Sequence, residues 1–237
     1  MDHRSIAKFL VNLLTACGGG AAAASLVPSF SGQPRVALVL LFIATAIDSV
    51  DGTLTRGLRL KGALPQYDGG KLDEYADLVT FVVGPLGFAW GSGVLPTGPL
   101  GLLAGGMVCA ASCLGFSYEY AKTDCAFWGW PSYWNILFLY AWLLELSPRA
   151  MVVACVLLSL AVFLPVPFAY PSRLPRLRGL TWGLGVSWSI VLIAAIVCTS
   201  VPRAIVWASL LFPAYYFSLT VVLWDTLIRK PAPRAGG

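Results

Sequence analysis

One stretch of the sequence, IDSVDGTLTRGLRLKGALPQYDGGKLDEYADLVTFVV from Ile47 to Val83, concentrates negative charge in a very apolar chain. The whole chain has only eleven acidic residues. The stretch contains Asp48, Asp51, Asp68, Asp73, Glu74 and Asp77. A carboxylate in or near a bilayer costs about 2.5–3.5 kcal/mol on insertion scales, so several together indicate a functional site with a compensating charge.

The composition predicts an integral membrane protein. Of 237 residues, 58% are hydrophobic and 11% are charged, whereas a soluble domain is about 25% charged. A membrane helix needs roughly 20 apolar residues, and the sequence offers about eight such segments, an all-α architecture: 5–27, 36–54, 71–94, 98–120, 131–147, 149–170, 179–200 and 203–227. We expect one membrane-embedded domain over residues 1–237, with a disordered tail at 231–237.

The distribution of lysine and arginine predicts the orientation of the chain. With a cytoplasmic N-terminus, 13 of the 16 basic residues fall on the cytoplasmic face, and only Arg35, Arg149 and Arg203 fall on the other. This bias places both termini in the cytoplasm. The net charge of +5 follows from topology and from attraction to anionic lipid, so it does not indicate a nucleic-acid partner.

The acidic pairs are predicted to converge at one membrane edge. Asp48 and Asp51 lie three residues apart at the end of the second helix, and Asp73 and Asp77 lie four apart at the start of the third. Each pair shares a helix face. Because the two helices are consecutive and antiparallel, all four carboxylates are expected at the same cytoplasmic edge.

A divalent cation is the expected partner of these carboxylates. Oxygen ligands favour Mg²⁺ or Mn²⁺ over zinc, and the only histidine, His3, lies near the terminus. The alternative is ion pairing with nearby cations, but salt bridges do not require regular acidic spacing. Those cations are Arg56, Arg59, Lys61 and Lys71.

Glycine and arginine among the acids indicate a phosphorylated ligand. Gly52 and Gly69 allow close approach of a ligand or backbone. Arg56 can bind phosphate through two parallel hydrogen bonds, and the third helix begins just after Gly69, where its N-terminus favours anions. Together with a metal, these groups suit a diphosphate.

The acidic stretch resembles the signature of the CDP-alcohol phosphotransferases, a family of membrane enzymes that make phospholipids. The matching pattern is Asp48-x-x-Asp51-Gly52-x-x-Thr55-Arg56, then Gly69-x-x-x-Asp73-x-x-x-Asp77. The chain departs from the family twice: Thr55 stands where alanine is usual, and the interval between Arg56 and Gly69 is longer. The longer interval is similar to that of the bacterial phosphatidylcholine synthase branch.

An aromatic stretch, AKTDCAFWGWPSYWN from Ala121 to Asn135, also resembles that branch. Aromatic faces bind quaternary ammonium groups such as that of choline. Rings at a membrane edge also form interfacial belts regardless of function, so both interpretations stay open. The predicted choline-binding residues are Glu119, Trp128, Trp130, Tyr133 and Trp134.

The resemblance implies transfer of a phosphatidyl group from CDP-diacylglycerol to choline, with release of CMP. It implies that Asp48, Asp51, Asp73 and Asp77 bind one or two Mn²⁺ or Mg²⁺ ions, and that Asp77 is the general base. It also implies a multi-pass protein of the bacterial inner membrane with a cytoplasmic active site, in contact with membrane lipid and able to form a homodimer. The predicted CDP-lipid-binding residues are Asn12, Thr15, Gly52, Arg56, Gly69 and Lys71.

Two other functions remain open from the sequence. The acceptor alcohol in the same reaction could be serine, glycerol phosphate or inositol phosphate. A cation or choline transporter would also use intramembrane carboxylates and aromatic rings. Transporters, however, often carry repeated halves and broken helices around a midplane site, and the sequence has no internal repeat.

Overall fold

The structure is a computed structural model that describes residues 2–60, 62, 64–118, 126–169, 178–198, 200–222 and 224. Two predictions fall outside these residues: the choline-binding role of Glu119 and the disordered tail at 231–237. The helices, numbered along the chain, are α1 (His3–Ala24), α2 (Leu26–Phe30), α3 (Pro34–Gly57), α4 (Gly69–Leu78), a π-helix (Val79–Val83), α5 (Gly84–Gly91), α6 (Pro99–Ser117), α7 (Trp134–Leu143), α8 (Pro148–Ala161), α9 (Arg178–Val197), α10 (Arg203–Ser209) and α11 (Leu211–Val222).

The chain is a multi-pass membrane protein, and the predicted all-α class is confirmed. Helix occurs at every predicted segment. Five helical segments of the described residues are long and apolar enough to cross a membrane: His3–Phe30, Pro34–Gly57, Pro99–Ser117, Gly179–Val197 and Arg203–Val222. Helices α7 and α8 are shorter but also apolar. Many large apolar side chains on these helices are exposed, Leu102 and Ile190 among them, as a lipid-facing surface requires.

The third predicted segment contains a change of helix type. Helix α4 passes directly into the π-helix, which continues into α5. Pro85 lies in the first turn of α5 and has no N–H to donate back to the preceding turn. π-Turns inside helices widen the backbone locally and often occur beside functional sites, and this one follows Asp77 by only two residues.

The sixth predicted segment, 149–170, is too long at its C-terminal end. Helix α8 ends at Ala161, and Pro167–Ala169 instead forms strand β2, which pairs antiparallel with strand β1 (Ala126–Trp128). Pro165 and Pro167 are the physical reason, because proline removes helical hydrogen bonds and its ring clashes with the preceding turn. A short two-stranded ribbon therefore replaces the last part of the expected helix.

The described chain divides into two compact units. The first comprises Met1–Cys109 with Tyr133–Val152, and the second comprises Ala110–Ser132 with Val153–Gly237. The single membrane-embedded domain over 1–237 stays a prediction.

The first unit is organised around α1, which packs against α3, α4 and the π-helix. Gly18 makes this contact possible: a Cβ added there would lie 3.0 Å from the Ile47 side chain on α3. Gly20 instead faces open space. The apolar core of the unit includes Leu41 and Phe88. Close contact of α1 with α3 and α4 places the polar residues of α1 beside the acidic stretch.

Replacing Gly91 with alanine is expected to lower the apparent melting temperature in detergent by about 2–10 °C. A Cβ on Gly91 would lie 2.3 Å from the backbone oxygen of Ser29, so α2 and α5 must separate, and overpacking of this kind costs about 1–3 kcal/mol. Gly106→Ala is the matched control, because nothing lies within 4 Å of a Cβ at that position. Equal melting temperatures for the two variants would contradict the packing explanation.

Candidate active site

Three carboxylates converge where α3 and α4 meet. Asp48 lies on α3, and Asp73 and Asp77 lie one turn apart on α4. One carboxylate oxygen from each of the three residues lies within 4.8 Å of the others. Asp77 is buried, whereas Asp48 and Asp73 are half-buried. The structure therefore brings together three of the four carboxylates that the sequence predicts as one cluster.

Asp51, the fourth predicted member, makes a different contact. It is buried one turn after Asp48, and it accepts a hydrogen bond of 2.5 Å from the hydroxyl of Thr15 on α1. The same hydroxyl lies 3.1 Å from the Val11 carbonyl oxygen of its own helix, so the two acceptors share its single proton, and Asp51 is the nearer one. The bond between Thr15 and Asp51 joins α1 to α3 and holds the Asp51 carboxylate in one orientation. Asp51 is thus oriented by α1, outside the group of three.

The three grouped carboxylates, Asp48, Asp73 and Asp77, fit a single hard cation. Oxygen atoms bind Mg²⁺ at about 2.0–2.1 Å and Ca²⁺-sized ions at 2.3–2.6 Å, so two ligands on opposite sides of an ion are about 4–5 Å apart. The 4.8 Å limit of the group falls in this range. Like charges this close repel strongly unless a cation or proton lies among them. The donor set is oxygen alone, which suits Mg²⁺ or Mn²⁺.

Two of the predicted phosphate-binding positions lie along α3, next to the carboxylates. Gly52 follows Asp51 directly, and the Arg56 guanidinium lies over it: a Cβ on Gly52 would be 3.2 Å from Nη1 of Arg56. Arg56 is exposed and donates a hydrogen bond of 3.3 Å to the Thr53 hydroxyl. Its charged end is therefore available to a ligand.

Gly69 and Asn12 lie against each other where α4 begins. A Cβ on Gly69 would be 3.5 Å from Oδ1 of Asn12. The Asn12 side chain is buried, with 6% of its surface exposed, and its amide Nδ2 has no hydrogen-bond partner among the described residues. A buried amide without a partner costs about 1–3 kcal/mol. This orphan group indicates that a ligand atom belongs beside it.

Lys71 lies on the exposed side of the same helix start. Its ammonium is 3.7 Å from the carboxylate of Asp68, and both side chains are more than half exposed. Asp68 caps α4 by accepting hydrogen bonds from the backbone N–H groups of Gly70 and Lys71, and these bonds, that of Lys71 first, lower the pKa of the Asp68 carboxyl. Asp68 is thus a capping residue, and Lys71 is its ion-pair partner.

The predicted choline-binding aromatics are distributed over both units. Trp128 lies on β1, and Trp130 stacks on Phe217 at a centroid distance of 6.0 Å, all within the second unit. Tyr133 and Trp134 belong to the first unit. Trp134 is 0% exposed and stacks on Phe138. Trp134 is therefore a core residue, and its replacement would disturb packing.

A scan against models of protein families finds no match. Individual proteins do match. A phosphatidylcholine synthase from Legionella bozemanae is 34% identical over 158 residues, covering 65% of this chain and 71% of that protein. One from Legionella pneumophila is 35% identical over 180 residues, covering 74% of this chain and 69% of that protein. One from Rhizobium johnstonii is 29% identical over 228 residues, covering 94% of this chain and 93% of that protein.

The chain belongs to the phosphatidylcholine synthase family. Because proteins of this name are transferases that act on lipid, the family accounts for a polar cluster in a membrane protein. The match to the Rhizobium johnstonii protein covers nearly the whole of both chains, so the family likeness extends over most of the length of the chain.

Lys8 on α1 lies beside the predicted site residues of this phosphatidylcholine synthase family member. The sequence did not predict a role for it in the site. The Lys8 ammonium lies 3.4 Å from the Thr55 hydroxyl. A Cβ on Gly69 would be 3.1 Å from the same ammonium. A signal existed in the sequence, because Lys8, Asn12 and Thr15 are spaced i, i+4 and i+7 and so share one helix face. In the sequence, Lys8 contributed only to the excess of basic residues that predicts the orientation of the chain.

Proposed function

We propose that the chain transfers the phosphatidyl group of CDP-diacylglycerol to choline, giving phosphatidylcholine and CMP. The observation that carries the proposal is the group of Asp48, Asp73 and Asp77 in a chain of the phosphatidylcholine synthase family. We further assign the chain to the larger family of CDP-alcohol phosphotransferases, on the acidic motif described above. The reaction is an exchange of one phosphate ester bond for another.

The carboxylates provide the metal-binding part of the site. Asp48, Asp73 and Asp77, with Asp51 close by on α3, would hold one or two Mn²⁺ or Mg²⁺ ions. When bound, such an ion neutralises phosphate oxygens and stabilises the charge that develops on the leaving CMP. The hydrogen bond from Thr15 would keep Asp51 oriented towards this site.

Asp77 acts as the general base in this proposal. The oxygen of the choline hydroxyl forms a bond with the β-phosphorus, the phosphatidyl phosphorus of the donor. The bond from that phosphorus to the oxygen shared with CMP breaks, and CMP leaves with the electron pair. The hydroxyl proton passes to the Asp77 carboxylate. Asp77 is the most buried of the grouped carboxylates, which limits competition from water.

The remaining polar groups hold the CDP end of the lipid. Asn12 offers its unpartnered Nδ2, and Arg56 offers an exposed guanidinium. Gly52 and Gly69 have no side chain and so let these polar groups lie close to the backbone: a Cβ would be 3.2 Å from Arg56 at Gly52 and 3.5 Å from Asn12 at Gly69. Thr15 orients Asp51, and Lys71 adds positive charge at the exposed start of α4.

The aromatic segment provides the choline site. We propose Glu119, Trp128, Trp130 and Tyr133 for this role, with the ring faces binding the quaternary ammonium and Glu119 supplying negative charge. The ring of Trp134 is buried against Phe138, so its role is to support the segment from the core. Choline cannot donate hydrogen bonds from its nitrogen, so ring faces are suitable partners. Trp130 is half-buried, as are Trp128 and Tyr133, so part of its ring surface remains for direct contact.

Replacing Trp130 with alanine is expected to raise the KM for choline by about 2- to 30-fold, the range that corresponds to one ring at about 0.5–2 kcal/mol. The KM for CDP-diacylglycerol should change by less than twofold. Trp130→Phe is the control, since it keeps an aromatic face against Phe217. An equal rise of both KM values in Trp130→Ala would assign this residue to an interfacial aromatic belt.

The location follows from the charge distribution. We propose that the chain lies in the bacterial inner membrane with both termini and the active site on the cytoplasmic face, because the basic residues concentrate there. The site then opens to the cytosol for choline and to the bilayer for the acyl chains. We also propose a homodimer as the state in the membrane.

One assay tests the proposed function. Purified protein in detergent with Mn²⁺ and CDP-diacylglycerol is given labelled choline, serine, glycerol phosphate or inositol phosphate, and CMP and lipid products are measured. We expect labelled phosphatidylcholine and an equal amount of CMP with choline only. Product with another alcohol would identify a different acceptor, and choline uptake into vesicles without CMP release would indicate a transporter.

A further inference from the structure

Lys8 places a positive charge beside the start of α4. It lies on α1, one turn before Asn12, and its side chain is half-buried. Its Nζ lies 3.4 Å from the Thr55 hydroxyl on α3. It would also be 3.1 Å from a Cβ on Gly69. The ammonium is therefore located where α1, α3 and α4 come together.

The ammonium lies directly against Gly69, which has no side chain, and next to the Asn12 amide. Gly69 contributes no side chain, and a Cβ there would contact both Lys8 and the Asn12 amide oxygen. Asn12 is buried, yet its Nδ2 has no partner among the residues that the structure describes. The amide oxygen of Asn12 is the atom that faces Gly69, and the unsatisfied Nδ2 is bonded to the same carbon. A cation and an amide donor that lie this near each other are suitable groups for phosphate oxygens.

Thr55 restricts the lysine. A free lysine side chain loses rotamer entropy on binding a ligand, and the Thr55 hydroxyl, which accepts a hydrogen bond from Lys8, removes part of that freedom beforehand. A neutral hydroxyl, unlike a carboxylate, orients the ammonium without neutralising its charge.

We infer that Lys8, positioned by Thr55, binds a diphosphate oxygen of the CDP-linked lipid and thereby sets the affinity for that substrate. The inference rests on the proposed function, because it assigns one more residue to the same site. The alternative is a structural role, since Lys8 also interacts electrostatically with Asp51. The two roles differ in which ligand they affect: a phosphate-binding lysine changes affinity for CDP compounds and leaves the choline site unchanged.

The test is replacement of Lys8 with methionine, which keeps the length and apolar stem of the side chain. We expect the KM for CDP-diacylglycerol to rise about tenfold, as loss of one charge-assisted hydrogen bond predicts, while the KM for choline stays within twofold. Titration of the purified protein with cytidine diphosphate in Mn²⁺ should show a Kd about tenfold higher. Lys8→Arg, which retains the charge, should restore most of the affinity.

Thr55→Ala separates positioning from binding. It keeps the lysine and the helix, so the affinity for cytidine diphosphate should fall only about threefold. Arg4→Met is the matched control: Arg4 lies one turn earlier on α1 and donates to the backbone oxygen of Arg59, and its loss should change the affinity by less than twofold. Should Lys8→Met yield too little folded protein, Thr55→Ala and Lys8→Arg carry the test.

Three outcomes would overturn the inference. They are an unchanged Kd for cytidine diphosphate in Lys8→Met, an equal rise of both KM values, and an unchanged Kd in Thr55→Ala where Lys8→Met does not fold. Each leaves the proposed function intact as long as the wild-type protein makes phosphatidylcholine. If the wild type makes none, the titration still reports whether Lys8 binds a diphosphate, so the two failures are distinguishable.

Discussion

Replacing Asp77 with asparagine is expected to reduce CMP release by about 100- to 10,000-fold, the range for removal of a positioned general base. Asparagine has nearly the same shape as aspartate but cannot accept a proton from choline at neutral pH. It also removes one of the three grouped carboxylates. Initial rates of CMP release at saturating CDP-diacylglycerol, choline and Mn²⁺ provide the measurement.

The matched control is Asp68→Asn, which makes the same chemical change at the N-cap of the helix that carries Asp77. Asp68 is exposed and caps α4, and asparagine is an equally good capping residue, so activity should stay within twofold. Asp77→Asn should insert into membranes and elute from a sizing column like the wild type. If its activity also stays within twofold of the wild type, the catalytic role of Asp77 is refuted.

Removal of divalent metal is expected to lower the activity at least about 100-fold, with recovery on addition of Mn²⁺ or Mg²⁺. The reason is the 4.8 Å grouping of Asp48, Asp73 and Asp77, because three carboxylates repel a lipid diphosphate unless a divalent cation lies between them and it. The measurement is CMP release after treatment with a chelator and again after metal is restored. Full activity in excess chelator would contradict the metal assignment.

Metal binding also has a readout that does not depend on catalysis. An ion that binds only the folded protein stabilises it by about 2.7 kcal/mol at 100 times its Kd, so Mn²⁺ should raise the apparent melting temperature of the wild type. Asp48→Asn should lose most of that rise, because it removes a ligand contributed by α3. Asp68→Asn should keep it. The same rise in Asp48→Asn and in the wild type would place the ion elsewhere.

The architecture could be predicted from hydropathy because membrane-spanning helices satisfy their own backbone hydrogen bonds. Long apolar runs such as those of α3 and α9 leave no alternative conformation in a bilayer, so their positions follow from composition. The predicted C-terminal end of the sixth segment was wrong, and the reason is also local. Pro165 and Pro167 end helical pairing, and β2 forms where helix was expected.

The candidate site could be predicted only in part. The spacing of Asp73 and Asp77 determines that they share a face of α4, and the structure places Asp48 beside them. The separate contact of Asp51 with Thr15 was not predicted, because it depends on how α1 packs against α3. The burial of Trp134 was not predicted either, since an aromatic residue between two helices can face lipid, ligand or core.

The sequence by itself determined that the chain is an apolar helical membrane protein with two acidic pairs at helix ends, because periodicity and hydropathy act within a single segment. Only the tertiary structure decided which polar groups meet across segments. The pairing of Lys8 with Thr55 joins residues 47 positions apart, and the position of Asn12 against Gly69 likewise depends on the close approach of α1 to α4. Such contacts arise from the rotation and depth of neighbouring helices, which side-chain packing determines and which no single segment encodes.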